Sequence, residues 1–402
     1  MLDRRAAMKA FAALAAVAGA QRVLGAEAEE TVMLPVGNGE RSLVAYPGKR
    51  PLIRLTTRPP QLETPMSVFN EGVITPNDAF FVRYHLAKIP TWVDLDAYRL
   101  KIDGKIESAL SLSLAELKSG FEPVEIVAVN QCAGNGRAFF EPRVAGGQIA
   151  SGAMGNARWK GVPLKALLAK AGVQAGAVQV SFQGLDEPVL PATPAFVKAL
   201  DLDHATDGEV MVAWAMNGED LPWLNGFPLR LVVPGFYGTY WIKHLAQVTV
   251  LDKPLDNFWM AKTYRLPKNA CQCVEPGKAP ASTTPIGRFN VRSFLTSVTD
   301  GATVPANREL ALRGIAFDGG VGISDVAVSV DGGATWSRAA LGEDLGKYSF
   351  REWTARVTLP PGKREIKVRA TNRAGQSQPM EPLWNPSGYM RNVVETTTVT
   401  AA

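Results

Sequence analysis

Val129-Asn130-Gln131-Cys132-Ala133-Gly134-Asn135-Gly136-Arg137 is the stretch on which the organisation of this chain turns. The apolar run Val124–Val129 predicts a strand. The two glycines that follow predict a tight loop, because glycine tolerates φ > 0 and lets another group come close. A lone cysteine at the strand end, with an arginine five residues on, can exist as a thiolate. Thiolates are soft ligands that suit soft or redox-active metals. A buried structural cysteine is the competing reading.

Outward from this stretch, helical and strand patterns mix between Thr31 and Leu266. Ser113-Leu-Ala-Glu116 has capping-box spacing and predicts a short helix ending near Gly120. Pro163 predicts the first turn of a second helix, with Leu164, Leu167 and Leu168 on one face and Gly172 as its stop. Thr193-Pro194 predicts a third helix by the same logic, and Leu229–Val233 a second short strand. After about Ala270 the texture is all-β. Val326, Val328 and Val330 alternate with Ala327 and Ser329 before the turn Asp331-Gly332-Gly333. Trp353, Ala355, Val357 and Leu359 do the same before Pro360-Pro361-Gly362-Lys363, and Ile366, Val368 and Ala370 return, closed by Asn372–Gly375. Hairpins at this spacing read as an immunoglobulin-like sandwich of about 100 residues. Glu275–Gly287, rich in Pro, Ser, Thr and Gly, reads as the linker. The class is α+β with an all-β second domain.

Two further stretches carry chemistry. In Phe80-Phe81-Val82-Arg83-Tyr84-His85, a strand would put Arg83 and His85 on one face, fit for an anion or a cofactor carbonyl; a surface or interdomain pair is the alternative. Asn225-Gly-Phe-Pro-Leu-Arg230, Pro234-Gly235 and Tyr240-Trp241-Ile242-Lys243-His244 could cradle a phosphate, since Arg and Lys are its usual partners. No P-loop or dinucleotide glycine pattern is present. His85, His204 and His244 never fall at zinc-motif spacing, no Gly-x-Ser-x-Gly elbow occurs, and Cys271-Gln-Cys273 lacks Cys-x-x-Cys spacing, leaving its bonding open. Spacing alone reaches a soft-metal or redox cofactor with an anionic substrate.

Size and charge agree. The 402 residues suggest two or three domains at about 150 residues each, and 43 basic against 38 acidic residues form no long basic run, which argues against nucleic acid. At the N-terminus, Arg4-Arg5 and Lys9 precede eleven apolar residues, Ala10–Ala20, and then small residues at Ala26 and Ala28. Such a run spans about 16 Å as a helix, too short for a bilayer, so residues 1–28 read as a signal peptide and no membrane span is expected. The arginine pair points to the twin-arginine route and the periplasm, with an ordinary secretory signal carrying two incidental basic residues as the alternative.

Five blocks, in order, resemble the sulfite oxidase family of molybdopterin enzymes, especially its exported bacterial sulfite dehydrogenases: Phe80–His85, Asn130–Arg137, Gly152–Leu164, Met216–Lys243 and Leu383–Tyr389. The resemblance implies a molybdopterin-binding core over residues 29–275 and an immunoglobulin-like dimerisation domain over 276–402, hence a homodimer. It implies one Mo-molybdopterin per chain, with Cys132 as the thiolate ligand of molybdenum. Tyr264, Arg83, Arg137 and Arg391 resemble the residues around the substrate oxyanion. Phe81, Arg83, His85, Asp186, Arg230, Trp241, Ile242 and Lys243 resemble cofactor contacts, Lys243 at the terminal phosphate. Asn225 stands among them where vertebrate members often have histidine. The implied reaction is oxidation of sulfite to sulfate by oxo transfer. Vertebrate members carry a fused haem domain; no haem is expected here, so electrons would pass singly to a periplasmic c-type cytochrome. The alternatives are a periplasmic methionine-sulfoxide reductase, an assimilatory nitrate reductase, and an exported non-catalytic binding protein.

Overall fold

The computed structural model describes residues 30–34 and 38–402. The signal peptide expected over residues 1–28 lies outside the described residues.

The first half is built from three sheets, two sharing one large core and the N-terminal one packing two smaller clusters of its own. Val124–Gln131 pairs antiparallel along its whole length with the ten-residue strand Met154–Pro163, and Met211–Met216 continues that sheet. Trp159, fully buried, fixes this pairing by donating its indole N–H to the Ala128 carbonyl at 3.0 Å. Arg230–Val232 adds to Met211–Met216 and brings Arg230 beneath the sheet end that carries Cys132. A second sheet runs Val197–Asp201, Gln179–Gly184, Leu245–Leu251, Leu100–Gly104, Leu110–Leu112, with one parallel pair at Leu245–Leu251 and Leu100–Gly104. The third, N-terminal sheet ends on the two-residue strand Val82–Arg83. His85 therefore lies just past the strand instead of two places along it.

Local signals that needed no tertiary help appear as read. Ser113 caps the helix Leu114–Ser119, accepting from the Glu116 amide while the Glu116 carboxylate accepts from the Ser113 amide. The helix Leu164–Ala171 follows Pro163 and stops at Gly172, whose φ of +71° only glycine adopts easily. The helix expected at Thr193-Pro194 does not form. That segment leads directly into the strand Val197–Asp201, which pairs residue for residue with Gln179–Gly184 and buries Phe196 and Lys198 beneath it. Sheet pairing over five residues outweighs a cap signal worth about 1 kcal/mol.

The expected linker is strapped down. Thr283–Pro285 pairs with Arg265–Pro267, Ile286 is buried, and the Tyr240 hydroxyl donates to its carbonyl at 2.6 Å. Just upstream, Cys271 and Cys273 form a disulfide. Beyond it, two sheets face each other: Arg292–Leu295, Glu309–Phe317, Arg351–Thr358, Ala340–Leu341, against Thr303–Val304, Glu395–Ala401, Gly362–Asn372, Ile323–Ser329, Ser337–Arg338. Leu312, Val326, Trp353 and Ile366 close their own core. Phe289, Phe294, Phe317, Phe350 and Met390 face the other way and join the core of the first half. The architecture is a three-sheet α+β core followed by a two-sheet β-sandwich.

Candidate active site

Cys132 sits on the turn that ends Val124–Gln131, and its own amide donates to Ala153 at 2.9 Å. The Asn135 side chain closes the turn by accepting from the Ala153 amide at 3.0 Å. The thiol is free and lines a cleft. Phe81, Arg83, His85, Cys132 and Asp186 belong to its lining. Asn225, Arg230, Trp241, Ile242, Lys243 and Tyr264 also line it, so eleven residues singled out from the sequence meet here.

The cleft is cationic, and its cations are bonded to carbonyl oxygens. Lys243 Nζ donates to the Arg83 carbonyl at 2.6 Å, and Arg230 Nη1 to the Asn225 carbonyl at 2.9 Å. Burial pulls the Lys243 ammonium well below its ordinary pKa, with Arg230 adding repulsion, and burial lowers Arg230 to about 10. Asp186 is the one carboxylate on the lining; burial raises its pKa and Lys243 opposes the rise. His85 is held neutral by burial first and then by the Arg83, Lys243 and Lys198 charges. Its Nε2 is hydrogen-bonded to the Tyr264 hydroxyl at 2.5 Å, and its ring stacks on Phe196 at 3.6 Å. Tyr264 has a φ of +55°, a strained value for an aromatic residue, and burial raises its phenol pKa.

Two predicted arginines stand outside the lining. Arg137 donates to the carbonyls of Ser387 and Gly147 and lies 4.9 Å from the ring centroid of Tyr389, which stacks on Tyr264 at 5.2 Å. It is thus one ring removed from the cleft. Gly134 and Gly388 make room for this arginine: a Cβ on Gly134 would stand 2.9 Å from its guanidinium carbon, and one on Gly388 2.8 Å from its Cγ, while one on Gly136 would stand 2.8 Å from Arg391 Cδ. Arg391 is turned away, donating to the Phe139 carbonyl and paired with Glu395 at 3.3 Å. His244, next to Lys243, is a core residue: burial lowers it to about 3, and it bonds the Tyr84 hydroxyl and the Phe227 carbonyl.

Sequence reading missed several residues. Lys49 is buried beneath Asn225, donating to its Oδ1 at 2.5 Å and to the carbonyls of Asn77 and Phe80. Phe196, Asn130 and Thr239 line the cleft, and Lys198 lies behind Tyr264. Asn130 and Thr239 belong to quoted blocks; the two lysines and Phe196 carry no local signature.

The residues fit a large, polar, anionic group anchored through sulfur. Arg83 Nε and Nη1, both polar atoms of the Asn130 side chain, Arg230 Nε and Thr239 Oγ1 are buried with no protein partner, and all belong to lining residues. Such orphans are rare unless a ligand or water satisfies them. With a soft thiol beside them, Cys132 would hold molybdenum, and Arg230, Lys243, Asn130 and Thr239 would hold the pterin and its phosphate.

Known proteins agree with that reading. Residues 86–259 match the model of the oxidoreductase molybdopterin binding domain, and residues 283–401 that of the Mo-co oxidoreductase dimerisation domain. Sulfite oxidase of Gallus gallus is 34% identical over 361 residues, covering 86% of this chain and 77% of that protein. Mitochondrial sulfite oxidase of Homo sapiens is 35% identical over 365 residues, and the match spans 65% of that longer protein. The crystal structure of the sulfane dehydrogenase SoxCD from Paracoccus pantotrophus superposes with a TM-score of 0.74 at 25% identity, covering 90% of each chain. With its cationic, thiol-bearing cleft and both domain matches, the chain belongs to the sulfite oxidase family of molybdopterin oxidoreductases.

Proposed function

We propose that this chain oxidises sulfite to sulfate at the Cys132 cleft, using one Mo-molybdopterin, and passes the electrons singly to an external c-type cytochrome. The same proposal includes export by the twin-arginine route to the periplasm and a homodimer formed through the sandwich domain. The observation that carries it is the set of buried, unpartnered Arg83, Asn130, Arg230 and Thr239 atoms beside a free thiol. When bound, the molybdenum centre supplies the oxygen transfer and takes the two electrons.

The chain's own residues do the rest. Arg83 has two N–H-bearing nitrogens free for an oxyanion, and its charge draws sulfite into the cleft. The neutral His85 imidazole bonds the Tyr264 hydroxyl, fixing the direction in which that hydroxyl meets substrate. Arg137 stabilises the same wall from behind through Tyr389. Lys243 and Arg230 hold the anionic end of the cofactor, and a phosphate there would return Lys243 to its charged form. Phe81 and Trp241 give the site apolar walls that strengthen each of these charges.

The test is reduction of ferricytochrome c by molybdenum-replete protein on adding sulfite, with methionine sulfoxide and a reduced dye in parallel. Sulfite turnover that disappears in Cys132→Ser, while circular dichroism stays unchanged, is the expected result. Silence with sulfite and turnover of the sulfoxide moves the chain to the reductase reading, and molybdenum far below one atom per chain moves it to a binding protein. The likeness to a sulfane dehydrogenase favours one second reading, a sulfane sulfur as reductant, so a glutathione persulfide is run beside sulfite.

A further inference from the structure

Lys198 is the buried charge that the reading above leaves without a task. It lies in the strand Val197–Asp201, two places after Phe196, so the two side chains share a face. Phe196 lines the cleft and covers His85; Lys198 is 0% exposed behind it. The ammonium stands 5.3 Å from the ring centroid of Tyr264 and 4.7 Å from that of Tyr240, and it donates to the Trp259 carbonyl at 2.8 Å. That hydrogen bond goes to a carbonyl, and a buried ammonium without a carboxylate is costly. A methionine would fill the same volume without that cost. What the charge contributes lies in what it faces: the ring of a tyrosine whose hydroxyl enters the anion site.

We infer that Lys198 is a positioning residue for the oxyanion, its ammonium pinning the ring of Tyr264 and adding a positive charge to the field in which the anion binds. This rests on the cleft being an oxyanion site, as proposed above. The ammonium attracts the faces of both tyrosine rings, which restrains Tyr264 in a backbone conformation that is strained on its own. At an effective dielectric of about 20, one charge about 12 Å from an anion, roughly the reach across the Tyr264 ring and hydroxyl, is worth about tenfold in affinity.

The charge is also conditional. Burial, with Arg265 adding repulsion, lowers Lys198 to about 7. The groups facing it are Tyr240 on the turn Gly238–Tyr240, Tyr264 and Arg265 after the short helix Phe258–Ala261, His85 across Phe196, and Asp201 at the end of its own strand. Both tyrosines stay protonated through neutral pH and His85 stays neutral. Two other lysines are shifted toward neutrality: Lys49, which is held beneath Asn225, and Lys243, which in the holoenzyme would face phosphate and keep its proton; the Lys198 variants separate its share from theirs. Oxyanion affinity therefore falls as pH rises through the Lys198 transition.

Sulfate is the probe, because sulfite takes up a proton in this range and sulfate does not. Its affinity for the holoenzyme is measured by calorimetry at pH 6, 7.5 and 9 for wild type, Lys198→Met and Lys198→Arg. Wild type should lose about tenfold between pH 6 and 9. Lys198→Met should start about tenfold weaker and lose the pH dependence, while Lys198→Arg should keep the pH 6 affinity up to pH 9. A purely structural role would not make the arginine variant tighter than wild type at high pH. Wild-type affinity and slope in Lys198→Met overturn the inference, as does an arginine variant that follows the wild-type decline, or a wild type that binds no sulfate. If the methionine variant fails to fold, the arginine arm decides. Sulfate binding does not depend on turnover, so failure of the sulfite assay is read separately from failure here.

Discussion

The cleft half and the sandwich half treat buried charge in opposite ways. In the sandwich, Arg292 is fully buried and paired with Glu395 at 3.1 Å, and Asp318 accepts from three backbone amides and from Asn372. Around the cleft, Lys49, Lys198, Arg230 and Lys243 bond to carbonyl or amide oxygens. A charge paired with a carboxylate is spent on the fold. A charge bonded only to neutral oxygens keeps most of its field for something else, at the expense of the protein without its ligand. The difference explains why a cleft with many cations and one lining carboxylate suits a polyanionic cofactor and a small anionic substrate.

The largest effect on this comparison is expected at the junction. Glu395 holds both Arg292 and Arg391, and Arg292 in turn donates to the Asn135 carbonyl in the Cys132 loop. Glu395→Gln leaves a fully buried guanidinium without its counter-charge and should cost about 3 kcal/mol in denaturant unfolding. A loss below about 0.5 kcal/mol would place Arg292 with the cleft cations and dissolve the contrast.

The second effect is a pH slope. Burial lowers Lys49 and Lys198 from 10.5 to about 7, so between those values the unfolded chain carries protons that the folded chain lacks. Stability of the cofactor-free protein therefore rises with pH in that window, by about 2 kcal/mol per lysine between pH 7 and 9, and Lys243, lowered to about 7 chiefly by burial, adds to the slope. Glu63, raised to about 7 by burial, acts with the opposite sign but only below that pH, where the folded chain holds the extra proton. Chemical unfolding at pH 7, 8 and 9 measures the slope, and a Lys49→Met, Lys198→Met double variant should reduce it to the share left by Lys243. A stability that falls over this range would mean that these lysines stay charged and that the cleft is wetter than its geometry indicates.

The same contrast governs what could be read from the chain. The sandwich was legible because its charges and apolar residues obey a local period of two: Val326 and Val328 on one strand, Ile366 and Val368 on another, all face one core. Cys132, Arg83 and the Arg230–Lys243 block were legible as reactive types at a strand end or beside turns, and the family resemblance assigned their roles. Lys49 and Lys198 were not, because a single lysine has no periodicity; only strands distant in sequence, folded over it, bury it. Thr193-Pro194 failed for the converse reason, a local signal overruled by pairing with Gln179–Gly184. Arg137 was found for its charge, but the groups that come close to the loop glycines are arginines of the chain itself, Arg137 at Gly134 and Arg391 at Gly136.

The smallest effect marks where the comparison should stop mattering. The helix Leu114–Ser119 carries a complete capping box on an exposed segment, and none of its residues lines the cleft. Ser113→Ala removes the side-chain acceptor for the Glu116 amide and should cost about 1 kcal/mol, with Ser113→Asp restoring most of it. Because this cap is satisfied within four residues, the cost should be the same with and without cofactor, and at pH 7 and pH 9. A cofactor-dependent cost, read by unfolding the two forms side by side, would show that the cleft's unpaired charges strain the fold as far as this helix. Equal costs would confine that strain to the residues that face the cleft, where Lys49, Lys198 and Arg230 already account for it.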